Sequence, residues 1–187
     1  MIEVELKAAL DARHPVELVS ALSALGFFEQ AAVQESDVYY NGCGRDFRRT
    51  DEALRLRSVT ALPDGGTQTC ITYKGPKLDT ASSTRLELET AVADAAVMHA
   101  LLLALGFREA FTVEKTRRSF TRGAQTVCLD AVEGLGSYME LEELLPDDAP
   151  RKPATESLLS LLDTLGVSRS ALTRKSYLEL LMEATTA

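Results

Sequence analysis

Polar and apolar residues alternate with a period of two along much of the chain, and the alternation predicts eight strands. In residues 1–10, Glu3, Glu5 and Lys7 alternate with Val4 and Leu6. Further strands are predicted over 34–40, over 53–62, where Arg55 and Arg57 oppose Leu54 and Leu56, and over 67–74, which places Cys70, Thr72 and Lys74 on one face. Residues 84–92 set Arg85, Glu87 and Glu89 against Leu86 and Leu88. Residues 111–122 align Lys115 with Arg117, 125–132 align Cys128 with Asp130, and 138–142 align Tyr138, Glu140 and Glu142. Turns are expected at Asn41-Gly42, at 63–66 (Pro-Asp-Gly-Gly), at Gly75-Pro76 and over 134–136. Residues 45–52 and 77–83 read as polar loops, and 146–153 as an acidic, proline-rich connector.

Helical spacing appears four times: over 16–25 behind Pro15, over 95–105 behind an Asp94 N-cap, over 155–165 and over 172–183. The first three end on Gly26, Gly106 and Gly166, and each ending reads Leu, two residues, Leu, Gly, apolar. This is a recurring helix, glycine cap and strand rather than a sequence repeat. Strands and helices together give an α+β chain forming a single domain over 1–187.

The chain is 45% hydrophobic and 26% charged, enough to build a core. Its net charge of -8 argues against nucleic acid and against anionic membranes as partners. No run approaches the roughly 20 apolar residues of a membrane span, and no basic leader precedes an apolar segment. Cys43, Cys70 and Cys128 are odd in number and far apart, which points to a reduced, cytoplasmic protein. His14 and His99 lie in no metal-binding spacing, so any metal should be a hard ion held by carboxylates, Mg2+ or Mn2+.

Alone, the opening strand reads as a surface strand with its charges in water. The other strands reverse that reading. Seven acids (Glu3, Glu5, Glu87, Glu89, Asp130, Glu140, Glu142) and seven bases (Lys7, Arg55, Arg57, Lys74, Arg85, Lys115, Arg117) share strand parity with one another. Their leucine-rich opposite faces need cover, which the helices can supply from outside. The expectation is a closed, mostly antiparallel eight-stranded barrel with helices packed outside and its charges lining a wet tunnel, because unpaired ions in a dry core each cost several kcal/mol. Clustered Arg and Lys suit phosphate oxygens, and clustered carboxylates suit a divalent ion that bridges to them. There is no P-loop motif.

The blocks Glu3-x-Glu5-x-Lys7, Arg55-Leu-Arg57, Lys74 in Thr-Tyr-Lys-Gly-Pro, Arg85-Leu-Glu-Leu-Glu89, Lys115-Thr-Arg117, Asp130 and Glu140-Leu-Glu142 occur in the order of the CYTH superfamily, the triphosphate tunnel metalloenzymes. The whole chain resembles that superfamily. Within it, Tyr73-Lys-Gly-Pro76, residues 111–117, Leu135-Gly136 and Ser176-Tyr177 resemble the class IV adenylyl cyclase branch. The resemblance implies that Arg55, Arg57, Lys74, Arg85, Lys115 and Arg117 bind a triphosphate. It implies Glu3, Glu5, Glu140 and Glu142 as leading metal ligands, with Glu87, Glu89 and Asp130 as further candidates. Lys7, Glu5 and Asp130 become the candidate catalytic residues, and a basic residue at Arg174 or Lys175 a cap on the tunnel.

The implied substrate is ATP, converted to cyclic AMP and pyrophosphate. The alternatives are hydrolysis of inorganic triphosphate or thiamine triphosphate, or a non-catalytic polyphosphate- or nucleotide-binding module. A homodimer would be typical of the branch. Phe47 and Tyr73 are the candidate contacts for an organic group, although both suit ordinary packing.

Overall fold

The alternating segments pair into one antiparallel sheet of ten strands. In the computed structural model, which describes residues 2–11, 14–63, 65–77, 85–146 and 149–185, these are β1 (Ile2–Leu10), β2 (Phe28–Glu29), β3 (Val33–Asn41), β4 (Ala53–Ala61), β5 (Thr67–Lys74), β6 (Glu87–Val92), β7 (Arg108–Arg122), β8 (Gln125–Val132), β9 (Gly136–Leu145) and β10 (Leu172–Thr173). The helices are α1 (His14–Ala24), α2 (Ala95–Ala104), α3 (Arg151–Thr164) and α4 (Tyr177–Ala184). Strand order is β10-β1-β9-β8-β7-β3-β4-β5-β6, and β2 pairs with β7. Residues 78–84, Asp64 and 147–148 lie outside the described residues, and with them most of the loop expected over 77–83.

Three expectations are corrected. The strands number ten rather than eight, because two-residue segments too short to show a period extend β7 and β1. The sheet also does not close by hydrogen bonds: β6 and β10 end the path, and β10 pairs with β1 only at Lys7 and Ala8. Glu3 on β1 and Glu87 on β6 repel one another, and like charges set against each other oppose strand pairing.

The third correction concerns the helices. Val4, Leu6, Val127, Leu129, Met139 and Leu141 turn to the convex face and form the main core with α1 and α3. Tyr40, Leu54, Leu56 and Ile71 pack beneath α2 through Leu102 and Met98. The fourth helix, however, lies on the concave side. There Tyr177 and Leu181 cover Tyr39, Val113, Val132 and Tyr138, apolar residues that share the parity of the charged set.

Local chemistry explains the element ends. All three glycine-capped helices close with the same pair of hydrogen bonds, for α1 Gly26 N–H to Ser23 O (3.0 Å) and Phe27 N–H to Leu22 O (3.0 Å). Gly26 takes φ 81°, which turns the chain back so that the second of them can form. Asp94 caps α2 as expected, accepting from Val97 N–H at 3.0 Å. The third helix begins four residues earlier than predicted, since Pro153 in its first turn has no N–H to leave unsatisfied. The predicted helix over 172–183 splits. Leu172 and Thr173 pair with β1, and a capping box between Ser176 and Glu179 restarts the helix at Tyr177.

Candidate active site

The concave face and α4 enclose a cavity of about 750 Å³. Glu3, Glu5, Lys7, Arg55, Arg57, Lys74, Arg85, Glu87, Glu89, Lys115, Arg117, Glu140 and Glu142 all line it. Thirteen of the fourteen charged residues aligned by sequence parity are thus brought to one cavity. Asp130 is not: it is 2% exposed and stands behind Arg117, away from the cavity.

Strands β3, β4 and β7 make a basic wall held in shape by two buried acids that sequence reasoning overlooked, Glu35 and Asp37. The side chain of Arg57 forks onto Asp37, Nε to Oδ1 at 2.6 Å and Nη2 to Oδ2 at 2.7 Å. Arg57 Nη2 also lies 3.0 Å from Glu35 Oε2, and Lys115 Nζ lies 2.5 Å from the same oxygen. Arg55 Nη1 reaches Asp37 Oδ2 at 3.4 Å, while its buried Nε has no hydrogen-bond partner among the described residues. A signal for both acids was present, since Glu35, Asp37 and Tyr39 alternate along a strand that was itself predicted.

The opposite wall, on β1 and β9, is acidic. Lys7 sits directly across from Glu140 in the register and pairs with it at 3.1 Å and with Glu5 at 3.3 Å. Glu5 lies across from Glu142, a like-charge cross-strand pair that a proton or an added cation would relieve. Arg117 bridges the two walls. Its Nε and Nη2 fork onto Asp130 at 2.7 and 2.6 Å, and Nη2 also bonds Glu140. On β5 and β6, Lys74 pairs with Glu87 at 2.5 Å, and the Thr72 hydroxyl donates to Glu89 at 2.7 Å.

The ionisation of these groups follows from burial and neighbours. Burial, then Glu5 and Glu87, push the Glu3 carboxyl up to about 7. Burial and the Glu3 charge likewise push Glu142 well above the carboxylate range. Burial also opposes the charge on Glu140, but Lys7 and Arg117 outweigh it and hold that carboxyl low. Lys7 is buried as well, yet Glu5 and Glu140 keep it protonated beyond its ordinary range. Burial and the neighbouring Arg117 and Arg57 lower Lys115, as expected inside a cationic cluster.

The candidate metal ligands are not gathered in advance. Among the described residues no three or more Asp, Glu, His or Cys side chains form a group able to hold a metal. The donor set still fits a hard divalent ion. Glu3, Glu5, Glu140 and Glu142 share one wall, burial and neighbouring carboxylates raise the pKa values of Glu3 and Glu142, and the buried Glu5 Oε1 faces only the Lys7 ammonium, 3.3 Å away, among the described residues.

The remaining residues singled out from sequence fall at the edges. Arg85 lies just ahead of β6 and donates to Asp51 O at 2.9 Å and Gly75 O at 3.3 Å, tying two loops together. Phe47 lines the cavity but packs on Phe107, and the Tyr73 hydroxyl donates to Glu52 at 2.5 Å. Arg174 lines the cavity beside α4. Lys175 pairs with Glu183 at 2.6 Å. No described helix is long and apolar enough to cross a membrane.

The chain is similar to known proteins over nearly its whole length. The CYTH domain model matches residues 1–177. A Methanocaldococcus jannaschii protein provisionally named an adenylate cyclase is 41% identical over 181 residues, covering 96% of this chain and 98% of its own. The adenylate cyclase CyaB of Aeromonas hydrophila is 27% identical over 153 residues, 82% of this chain and 75% of its own. The solved structure of the Pyrococcus horikoshii protein PH1819 superposes with a TM-score of 0.87 at 39% identity, covering 97% and 98% of the two chains. The family model over residues 1–177, together with a 41% identical relative matched over nearly its whole length, makes this chain a member of the CYTH domain family.

Proposed function

We propose that the protein is a divalent-metal-dependent enzyme that acts on a triphosphate substrate in this cavity, and that it converts ATP to cyclic AMP and pyrophosphate. One observation carries the reading: Arg55 and Arg57 on β4 and Lys115 and Arg117 on β7, the two strands that flank β3, converge on the cavity, and the buried Arg55 Nε has no hydrogen-bond partner among the described residues. The CyaB relative supports the choice of reaction.

In the resting site Glu35 and Asp37 partly neutralise the basic wall and fix its directions. Phosphate oxygens then meet guanidinium groups already oriented, so little ordering remains to be done on binding. Lys7 keeps its proton between Glu5 and Glu140 and can donate to the reacting phosphates. Glu3, Glu5, Glu140 and Glu142 would hold Mg2+ or Mn2+, with substrate oxygens and water completing the shell. Such an ion, when bound, neutralises charge developing on the phosphates. Glu87 and Glu89 supply further carboxylates at the mouth, while Lys74 and Arg85 hold its β5–β6 side. Asp130 serves as the support of Arg117 rather than as a ligand. Cytoplasmic placement and a homodimer belong to the same proposal.

A second reading, hydrolysis of inorganic or thiamine triphosphate, uses the same groups but aims water at the terminal phosphorus instead of the ribose 3′-oxygen at the α-phosphorus. It is favoured by the lack of a stacking surface at Phe47, which is 7% exposed. Incubation with Mg2+ or Mn2+ and, separately, ATP, inorganic triphosphate and thiamine triphosphate decides. Cyclic AMP with pyrophosphate establishes the cyclase and orthophosphate the triphosphatase. Triphosphate-dependent thermal stabilisation without turnover would leave a binding module and overturn both enzymatic readings.

A further inference from the structure

Tyr177 opens α4, where the capping box of Ser176 and Glu179 fixes the first helical turn. It is 6% exposed and faces the charged wall. Its hydroxyl donates to Asp130 Oδ2 at 2.8 Å. Asp130 receives the fork of Arg117, Arg117 also bonds Glu140, and Glu140 pairs with Lys7 at 3.1 Å. Lys7 Nζ in turn lies 4.4 Å from the centre of the Tyr177 ring, and Lys115 Nζ lies 5.6 Å from it. The contacts thus form a closed circuit that begins and ends on one side chain of α4.

We propose that Tyr177 is a positioning residue for the triphosphate site, an assignment that rests on the function proposed above. Arg117 spends Nε and Nη2 on Asp130 and Glu140, so its remaining Nη1 is the edge left for the cavity, 3.9 Å from Glu142. The direction of that edge depends on how Asp130 is held, and the Tyr177 hydroxyl is the donor that holds its second oxygen beside the Arg117 fork. The ring does a separate job. Its negative face attracts Lys7 and Lys115 and adds to the ion pairs with Glu5, Glu140 and Glu35 that hold the two ammonium groups on the cavity side. The helix therefore covers one end of the concave face and also sets the aim of three cations that receive phosphate.

Phenylalanine separates this role from packing, because it fills the same space and keeps the ring but lacks the hydroxyl. Titrating inorganic tripolyphosphate against wild type, Y177F, Y177L and the neighbouring control Y138F, by calorimetry with melting curves alongside, tests the assignment. The expected order is wild type equal to Y138F, Y177F weaker by roughly tenfold, the size of one hydrogen bond to a charged group, and Y177L weaker again by a similar factor. Turnover should follow as a rise in KM before any fall in kcat. A Y177F affinity within twofold of wild type, or an equal loss in Y138F, overturns the assignment. A wild-type protein that does not bind tripolyphosphate overturns the triphosphate reading and this assignment with it.

Discussion

Replacing Glu3 with glutamine should stabilise the metal-free protein at pH 8 and weaken its response to Mg2+. Burial and the charges of Glu5 and Glu87 raise the folded carboxyl from its ordinary 4.5 to about 7. Between those values the folded protein keeps a proton that the unfolded chain has released, so stability falls as pH rises through this interval. At 1.36 kcal/mol for each pH unit the interval corresponds to an upper limit of about 3 kcal/mol. For a chain of this length each kcal/mol moves the melting temperature by roughly 2–4 °C.

In EDTA, E3Q should therefore melt as much as roughly 6–12 °C above wild type at pH 8, and the two should converge near pH 4. Adding Mg2+ should reverse the order at pH 8, because the ion binds the ionised carboxylate and releases any proton still held there. Melting curves from pH 4 to 9, with EDTA and with Mg2+, make the measurement. A difference between wild type and E3Q that stays constant with pH, or that favours wild type in EDTA at pH 8, would refute the reasoning.

Other perturbations act on named contacts. Lys115→Ala strands Glu35 against fewer cations, and should cost about 3–5 kcal/mol in urea unfolding as well as roughly 10²–10³-fold in turnover. Glu5→Gln should lower turnover to a similar extent while leaving circular dichroism unchanged; full activity in either variant sinks the site. Leu158→Ala, at a fully buried position of α3, should cost about 2–5 kcal/mol by leaving a cavity. Gly26→Ala meets no atom within 4 Å, so its cost of about 1–2 kcal/mol should come from the positive φ alone and appear without any change in turnover.

Much of this architecture was legible because the sheet has two chemically distinct faces. In β1, β4, β8 and β9 one parity carries ions and the other carries Val, Leu or Met, so each of these strands reports both its period and its orientation. The three outer helices were equally legible, through Leu22, Leu102 and Leu162 and the glycines that follow. Two-residue strands carry no period, and so β2 and β10 could not be seen. The C-terminal helix misled for a related reason. Its amphipathic spacing says only that one face is covered, and Tyr177 and Leu181 serve equally well against an outer core or an inner one.

Pairing of charges is harder to read than their placement, and that limit shaped the site. Parity put seven acids and seven bases on one face, a balance that suggested mutual neutralisation. Glu35 and Asp37 raise the acids from seven to nine and are spent on the basic wall, against Arg57, Lys115 and Arg55. Asp130 is spent on Arg117, and Glu140 on Lys7 and Arg117. Glu5 is spent on Lys7 and Glu87 on Lys74, and Thr72 bonds Glu89, so Glu3 and Glu142 are left with the least compensation, and burial together with neighbouring carboxylates raises their pKa values. A list of charges cannot show this, because it depends on which oxygen each cation can reach across neighbouring strands. Bases come to a phosphate already aimed by their own counterions, whereas the acids beside β1 repel one another until a cation arrives. The asymmetry between the two walls thus follows from pairing geometry, and it predicts that removing metal should disturb the β1–β9 wall while leaving the Arg57–Asp37 fork in place.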